Sequence, residues 1–178
     1  MLLSFADRNL ILTGYTGPNP PPIGQQVAER LKMRYVNVEL QIETREGMPS
    51  EAVRTRYGDA RLKTVESDVM QDVLLNRNSV IRVSGQTLLR SDYAKRLGET
   101  GPIICMVASL GAVLQRLHLS LGRNYHNPQE RALAIGYLKR EWAVRKLDGI
   151  REIDTTYMSE ADIMNALIGI WQQSLISH

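Results

Sequence analysis

Short apolar runs alternate along this chain with longer stretches in which apolar residues return every three or four positions. Five of the runs read as strands: residues 9–14 (NLILTG), 34–38 (RYVNV), 80–85 (VIRVSG), 102–108 (PIICMVA) and 149–154 (GIREID). Between them, LKTVESDVMQDVLL places Leu62, Val65, Val69 and Val73 on one stripe, and the last segment does the same with Ile163, Leu167 and Trp171. Both patterns predict amphipathic helices. Ser159 followed three residues later by Asp162 marks the start of the last one, because the two side chains can satisfy each other's backbone N–H groups. Strands alternating with helices are the signature of a parallel sheet covered by helices. No repeat, low-complexity tract or linker interrupts the pattern, so residues 1–178 read as one domain.

Composition narrows the class. With 43% hydrophobic and 23% charged residues, and no apolar run near the roughly 20 residues needed to span a bilayer, no membrane segment is expected. The first residues lack a basic start and a cleavage site, so a cytoplasmic location is expected. The single Cys105 lies in PIICMVA and reads as a buried, inert thiol. Net charge is +3, and 17 of the 22 basic residues are arginine, a side chain suited to forked contacts with carboxylate or phosphate. Solvated helix faces paired with nearby Glu and Asp account for most of them. Nucleic acid is not an expected partner, since neither zinc-finger spacing nor an aromatic-basic signature is present. His118, His126 and His178 lack ligand spacing, so no metal site is expected. Ser84 in VSGQT lacks the G-x-S-x-G context of a nucleophile and reads as a strand-end turn. Trp142 and Trp171 read as core or interface residues.

The stretch GYTGPNPPPIGQQVAERL, residues 14–31, stands where a phosphate-binding loop would follow the first strand. In G-x-x-x-x-G-K-[ST], backbone N–H groups converge on phosphate, the lysine reaches its oxygens and the hydroxyl holds magnesium. Aligning Gly14 with the first glycine puts Asn19 at the second, Pro20 at the lysine and Pro21 at the hydroxyl. Proline has no N–H to donate. Residues Gly14, Gly17, Asn19, Pro20 and Pro21 therefore read as a degenerate nucleotide loop. The prolines instead suit the first turn of a helix, where N–H groups have no intrahelical partner. Gly24 then falls on the helix face nearest the sheet, where the absent side chain allows close packing.

These residues resemble the shikimate kinase family, small P-loop kinases whose opening reads like LIGxMGAGKSTIGxxLA; LILTGYTGPNPPPIGQQVA stands in its place. The resemblance runs through nearly the whole chain. YVNVELQIETREG is similar to the family's FxDxDxxIExxxG, LKTVE to its FRxxE, and Ser84, Gly85 and Gln86 to its GGG turn. Arg123 falls near the lid arginine and Arg140 near the substrate-binding arginine. The resemblance implies a three-layer α/β fold with a five-stranded parallel sheet, in the order 2-3-1-4-5, flanked by helices. It also implies one cleft gathering Glu39, Lys63, Gly85 and Arg140 as a small-molecule pocket, with Arg123 in a lid.

Each matched position departs from the family chemically. Asn37 replaces the first aspartate, so no catalytic carboxylate remains there. Glu39 replaces the second with a longer acid, and Lys63 keeps the charge of an arginine without its fork. The expectation is a non-catalytic, pseudokinase-like domain without a working ATP site, cofactor or metal, binding a small hydroxylated carboxylate or a protein partner. The alternatives are a divergent small-molecule kinase of the shikimate kinase type, and a basic nucleic-acid or phosphate-binding module.

Overall fold

A computed structural model describes residues 7–14, 22–121 and 127–177. The first strand, β1 (Leu10–Gly14), is buried along its whole length. It is followed by helix α1 (Ile23–Leu31) and strand β2 (Arg34–Asn37). Three helices come next: α2 (Val38–Glu46), α3 (Ser50–Tyr57) and α4 (Asp59–Val73). Strand β3 (Ser79–Arg82) leads into the short helices α5 (Gly85–Leu88) and α6 (Tyr93–Gly98). Strand β4 (Ile103–Val107) precedes α7 (Leu110–Leu121) and α8 (Pro128–Trp142). A 3-10 turn at Ala143–Lys146, strand β5 (Ile150–Asp154) and helix α9 (Glu160–Ile176) complete the fold.

All four strand pairings are parallel, in the order β2-β3-β1-β4-β5, as the resemblance implied. Alternation along the central strands sends side chains to two cores. Leu10, Leu12, Val80 and Ile104 pack with Val27 of α1 and with Ile163 and Leu167 of α9. Ile11, Ile81 and Cys105 pack with Leu62, Val65 and Val69 of α4 on the other face. Burial, with smaller contributions from Glu152 and Glu141, pushes the Cys105 thiol up to about 11, consistent with an inert sulfur.

Local chemistry sets the helix ends. Ser159 Oγ accepts from the Asp162 N–H and Asp162 Oδ2 accepts from the Ser159 N–H, both at 3.1 Å, so the capping box forms. Helix α1 begins one residue after Pro22. A Cβ on Gly24 would lie 2.7 Å from Tyr35 Cε2, so the glycine lets α1 sit close against β2.

Every strand is at least one residue shorter than its apolar run, and two of them end where a side chain caps the helix that follows. Asn37 caps α2, its Oδ1 accepting from the Leu40 N–H at 3.2 Å, so Val38 opens a helix rather than closing a strand. Ser84 likewise caps α5, its Oγ accepting from the Thr87 N–H at 3.1 Å, so Ser84 and Gly85 lie outside β3. Among the described residues, no helix is long and apolar enough to cross a membrane.

Candidate functional site

The carboxyl ends of the strands carry the polar groups that packing does not explain, the usual ligand edge of an open parallel sheet. Strand β1 ends at Gly14, with φ +86°, a conformation that side-chain-bearing residues rarely adopt. A Cβ there would lie 2.2 Å from the Met106 carbonyl oxygen. Beside it, Arg82 donates from Nη2 to the Gly14 carbonyl at 2.7 Å and from Nη1 to the Val83 carbonyl at 2.8 Å. The same guanidinium lies 3.6 Å from Glu141 Oε2, joining the end of β1 to α8.

On the far side of this contact is a polar cavity of about 40 Å³. Helices α2, α3, α4, α5 and α8 contribute Glu39, Glu51, Glu66, Gln86 and Glu141 to its wall. Glu39 Oε2 accepts from Ser50 Oγ at 2.7 Å. Glu66 accepts from Arg90 Nη1 at 3.1 Å on both oxygens and from Thr87 Oγ1 at 3.0 Å. Arg54 pairs with Glu51 at 3.1 Å and donates to Gln86 Oε1 at 3.3 Å.

Glu141 is fully buried, and its Oε2 accepts from the Gly85 N–H at 2.8 Å. Its Oε1 has no hydrogen-bond partner among the described residues. Burial pushes the carboxyl groups of both Glu66 and Glu141 above the usual range. Arg90 and Thr87 oppose the effect at Glu66, and Arg82 and the Gly85 N–H oppose it at Glu141, while the charge of Glu39 adds to it at both.

The residues read from the sequence are not gathered round one cavity. Glu39 lines the small cavity. Lys63 is exposed and lines a wider adjoining cleft with Glu66, Arg90, Ser91 and Tyr93. Arg140 is exposed on another face of α8, beside Gln129, Ala132 and Gly136. Gly85 meets α8 rather than open space, since a Cβ there would lie 2.3 Å from the Glu141 carbonyl oxygen. Gly17, Asn19, Pro20, Pro21 and Arg123 lie outside the described residues.

A family model described as shikimate kinase matches residues 22–169. The chain belongs to the shikimate kinase family. Shikimate kinase from Thermodesulfovibrio yellowstonii is 29% identical over 127 residues, covering 70% of this chain and 73% of its own length. The Geobacter metallireducens enzyme of the same name is 24% identical over 91% of this chain and 90% of its own. The fold is shared with the shikimate kinase of Bacteroides thetaiotaomicron, at a TM-score of 0.71 and 18% identity, over 97% of this chain and 100% of that one. A shikimate kinase from Acinetobacter baumannii, solved in complex with shikimate, gives a TM-score of 0.70 at 19% identity over 93% of each chain.

Against the shikimate kinase pattern, the residues that sequence reasoning missed are those joined only by the fold. Arg82 and Glu141 are 59 positions apart and meet across the strand ends. Arg90 follows the GGG-like turn and had no motif to mark it, yet it anchors Glu66. Glu66 itself was visible as the acid of LKTVE.

Proposed function

We propose that this chain is a divergent small-molecule kinase of the shikimate kinase type, with its acceptor held at the cavity formed by Glu39, Glu66 and Glu141. The observation that carries this reading is the family match over residues 22–169, which includes all the elements that wall the cavity. Relatives over most of their length are named shikimate kinases. In such chemistry the protein positions an acceptor hydroxyl and stabilises charge, with little covalent work of its own. Glu39, in the first turn of α2 and held by the hydroxyl of Ser50 at the start of α3, is suited to accept a hydrogen bond from an acceptor hydroxyl. Glu66, clamped by Arg90 and Thr87, stiffens the wall beside it.

The magnesium expected of a kinase does not fit the donors present. Asn37 stands at the carboxylate position with its Oδ1 engaged by the Leu40 N–H, and Pro21 stands at the hydroxyl position. Among the described residues, no group of three or more His, Cys, Asp or Glu is arranged to hold a metal ion.

A second reading, a non-catalytic member of the family, is favoured by the loop itself, where GYTGPNPP carries no lysine. The two separate in one experiment, in which the full chain is incubated with ATP and shikimate, with and without magnesium, and phosphorylated product is sought by mass spectrometry. The kinase reading expects product whose formation falls at least about 100-fold in Glu39→Ala, the scale of losing one preorganised catalytic contact. Absence of product, together with absence of an ATP-induced thermal shift, would establish the non-catalytic reading instead.

A further inference from the structure

The cavity at the acceptor site is smaller than a ring. At about 40 Å³ it has space for about three waters, each needing roughly 10–15 Å³, whereas an engineered cavity that takes up benzene measures about 150 Å³. A short hydroxylated chain can enter end-on. A six-membered carbocycle enters only if a side chain of the wall gives way.

How each side chain is held decides which one yields. Leu62 is packed into the core. Glu66 accepts from Arg90 at 3.1 Å on both oxygens and from Thr87 at 3.0 Å. Glu141 is fully buried and accepts from the Gly85 N–H at 2.8 Å, with Arg82 at 3.6 Å. Glu39 accepts from Ser50 Oγ at 2.7 Å. Gln86 is held by least: its side chain is partly exposed and has one hydrogen bond among the described residues, Oε1 accepting from Arg54 Nη2 at 3.3 Å. Arg54 is itself anchored, 3.1 Å from Glu51 and 2.9 Å from Asp59, so the arginine is the fixed post and the glutamine the moving part. The backbone that carries Gln86 is fixed too, because Ser84 caps α5 and Glu141 holds the Gly85 N–H. Only the side chain is free to swing.

We propose, resting on the acceptor-site reading above, that Gln86 latched to Arg54 is a gate that sets the size of acceptor the site takes. With the gate closed, a short hydroxylated carboxylate enters unhindered. A ring enters once the Gln86 amide has left Arg54 and swung outward, so the ring alone bears the loss of that contact. A hydrogen bond to a charged group has a net worth corresponding to about tenfold in affinity.

The test is calorimetric titration of the full chain with shikimate and with glycerate, a hydroxylated carboxylate short enough to enter end-on. Gln86→Ala removes the amide and the methylene that carries it, and should tighten shikimate about tenfold while leaving glycerate within about twofold. A merely structural effect would move both acids together. Gln86→Met keeps the length of the side chain but cannot bond Arg54; it should tighten shikimate about threefold, and it carries the test if Gln86→Ala fails to fold. Shikimate affinity unchanged or weakened in the folded variants, or an equal gain for both acids, would overturn the gate and leave the acceptor site standing. Failure of both acids to bind the parent and the variants alike would overturn the acceptor-site reading and the gate with it.

Discussion

Glu141 sits where burial opposes its charge and only part of its hydrogen-bonding capacity is met, so its protonation is coupled to folding. Its carboxyl is held above the usual range by burial, with Arg82 and the Gly85 N–H pulling the other way and Glu39 adding to the rise. A raised folded-state value means that the native state binds the proton more tightly than the unfolded chain does. The resulting stabilisation is fully present below the unfolded value and is lost as pH rises through the folded one. Glu141→Gln, permanently uncharged, should therefore gain on the parent protein as pH rises, with the difference greatest at neutral pH and shrinking in mild acid. Urea unfolding of both proteins at a series of pH values checks this; a constant difference would remove Glu141 from the account. Its neighbour gives a simpler expectation. Gly85→Ala would place a Cβ 2.3 Å from the Glu141 carbonyl oxygen, and backbone cannot swing aside as a side chain does. The cost should reach about 2–3 kcal/mol, the upper part of the overpacking range, read as a fall in the urea midpoint at constant slope.

At the scale of elements, α9 depends on a locally encoded start. Ser159→Ala removes the acceptor for the Asp162 N–H and should cost about 1 kcal/mol, checked by thermal unfolding. Caps of this kind, the stripe of α4 and the five strands were legible because their signals lie within a few residues of each other. Leu62, Val65, Val69 and Val73 are buried as their spacing required. Strand ends were less legible. Asn37 and Ser84 each turn the chain into a helix through one side-chain hydrogen bond, and an apolar run gives no sign of where such a bond forms. The site was legible only in part. Glu39 and Glu66 could be found by motif, whereas Arg140 and Glu141 are adjacent in sequence and face different surroundings on α8. One residue of helix rotation, about 100°, separates an exposed cation from a buried acid, and it was the acid that met the cavity.

For the whole molecule, family membership and the altered loop together predict slow chemistry. Losing a preorganised catalytic donor typically lowers kcat by about 100- to 1,000-fold. Turnover with shikimate or a related polyol should therefore fall short of a family member that carries the loop lysine by at least about that factor, measured under identical ATP. A rate equal to such a relative's would show that the lysine's role has been wholly replaced. The strand order has its effect earlier, while the chain is being made. Strand β1 lies at the centre of the sheet, yet its partners β3 and β4 are synthesised some 70 and 90 residues later. At roughly 5–20 residues per second, the apolar LILTG waits on the order of 5–20 s before both of its edges are covered. A chain cut after Gly101, lacking β4 and β5, keeps one edge of β1 bare and should aggregate rather than stay soluble. The same exposure makes the nascent protein dependent on whatever shields hydrophobic segments at the ribosome, and slowing synthesis between β3 and β4 should lower the yield of folded protein without changing one residue.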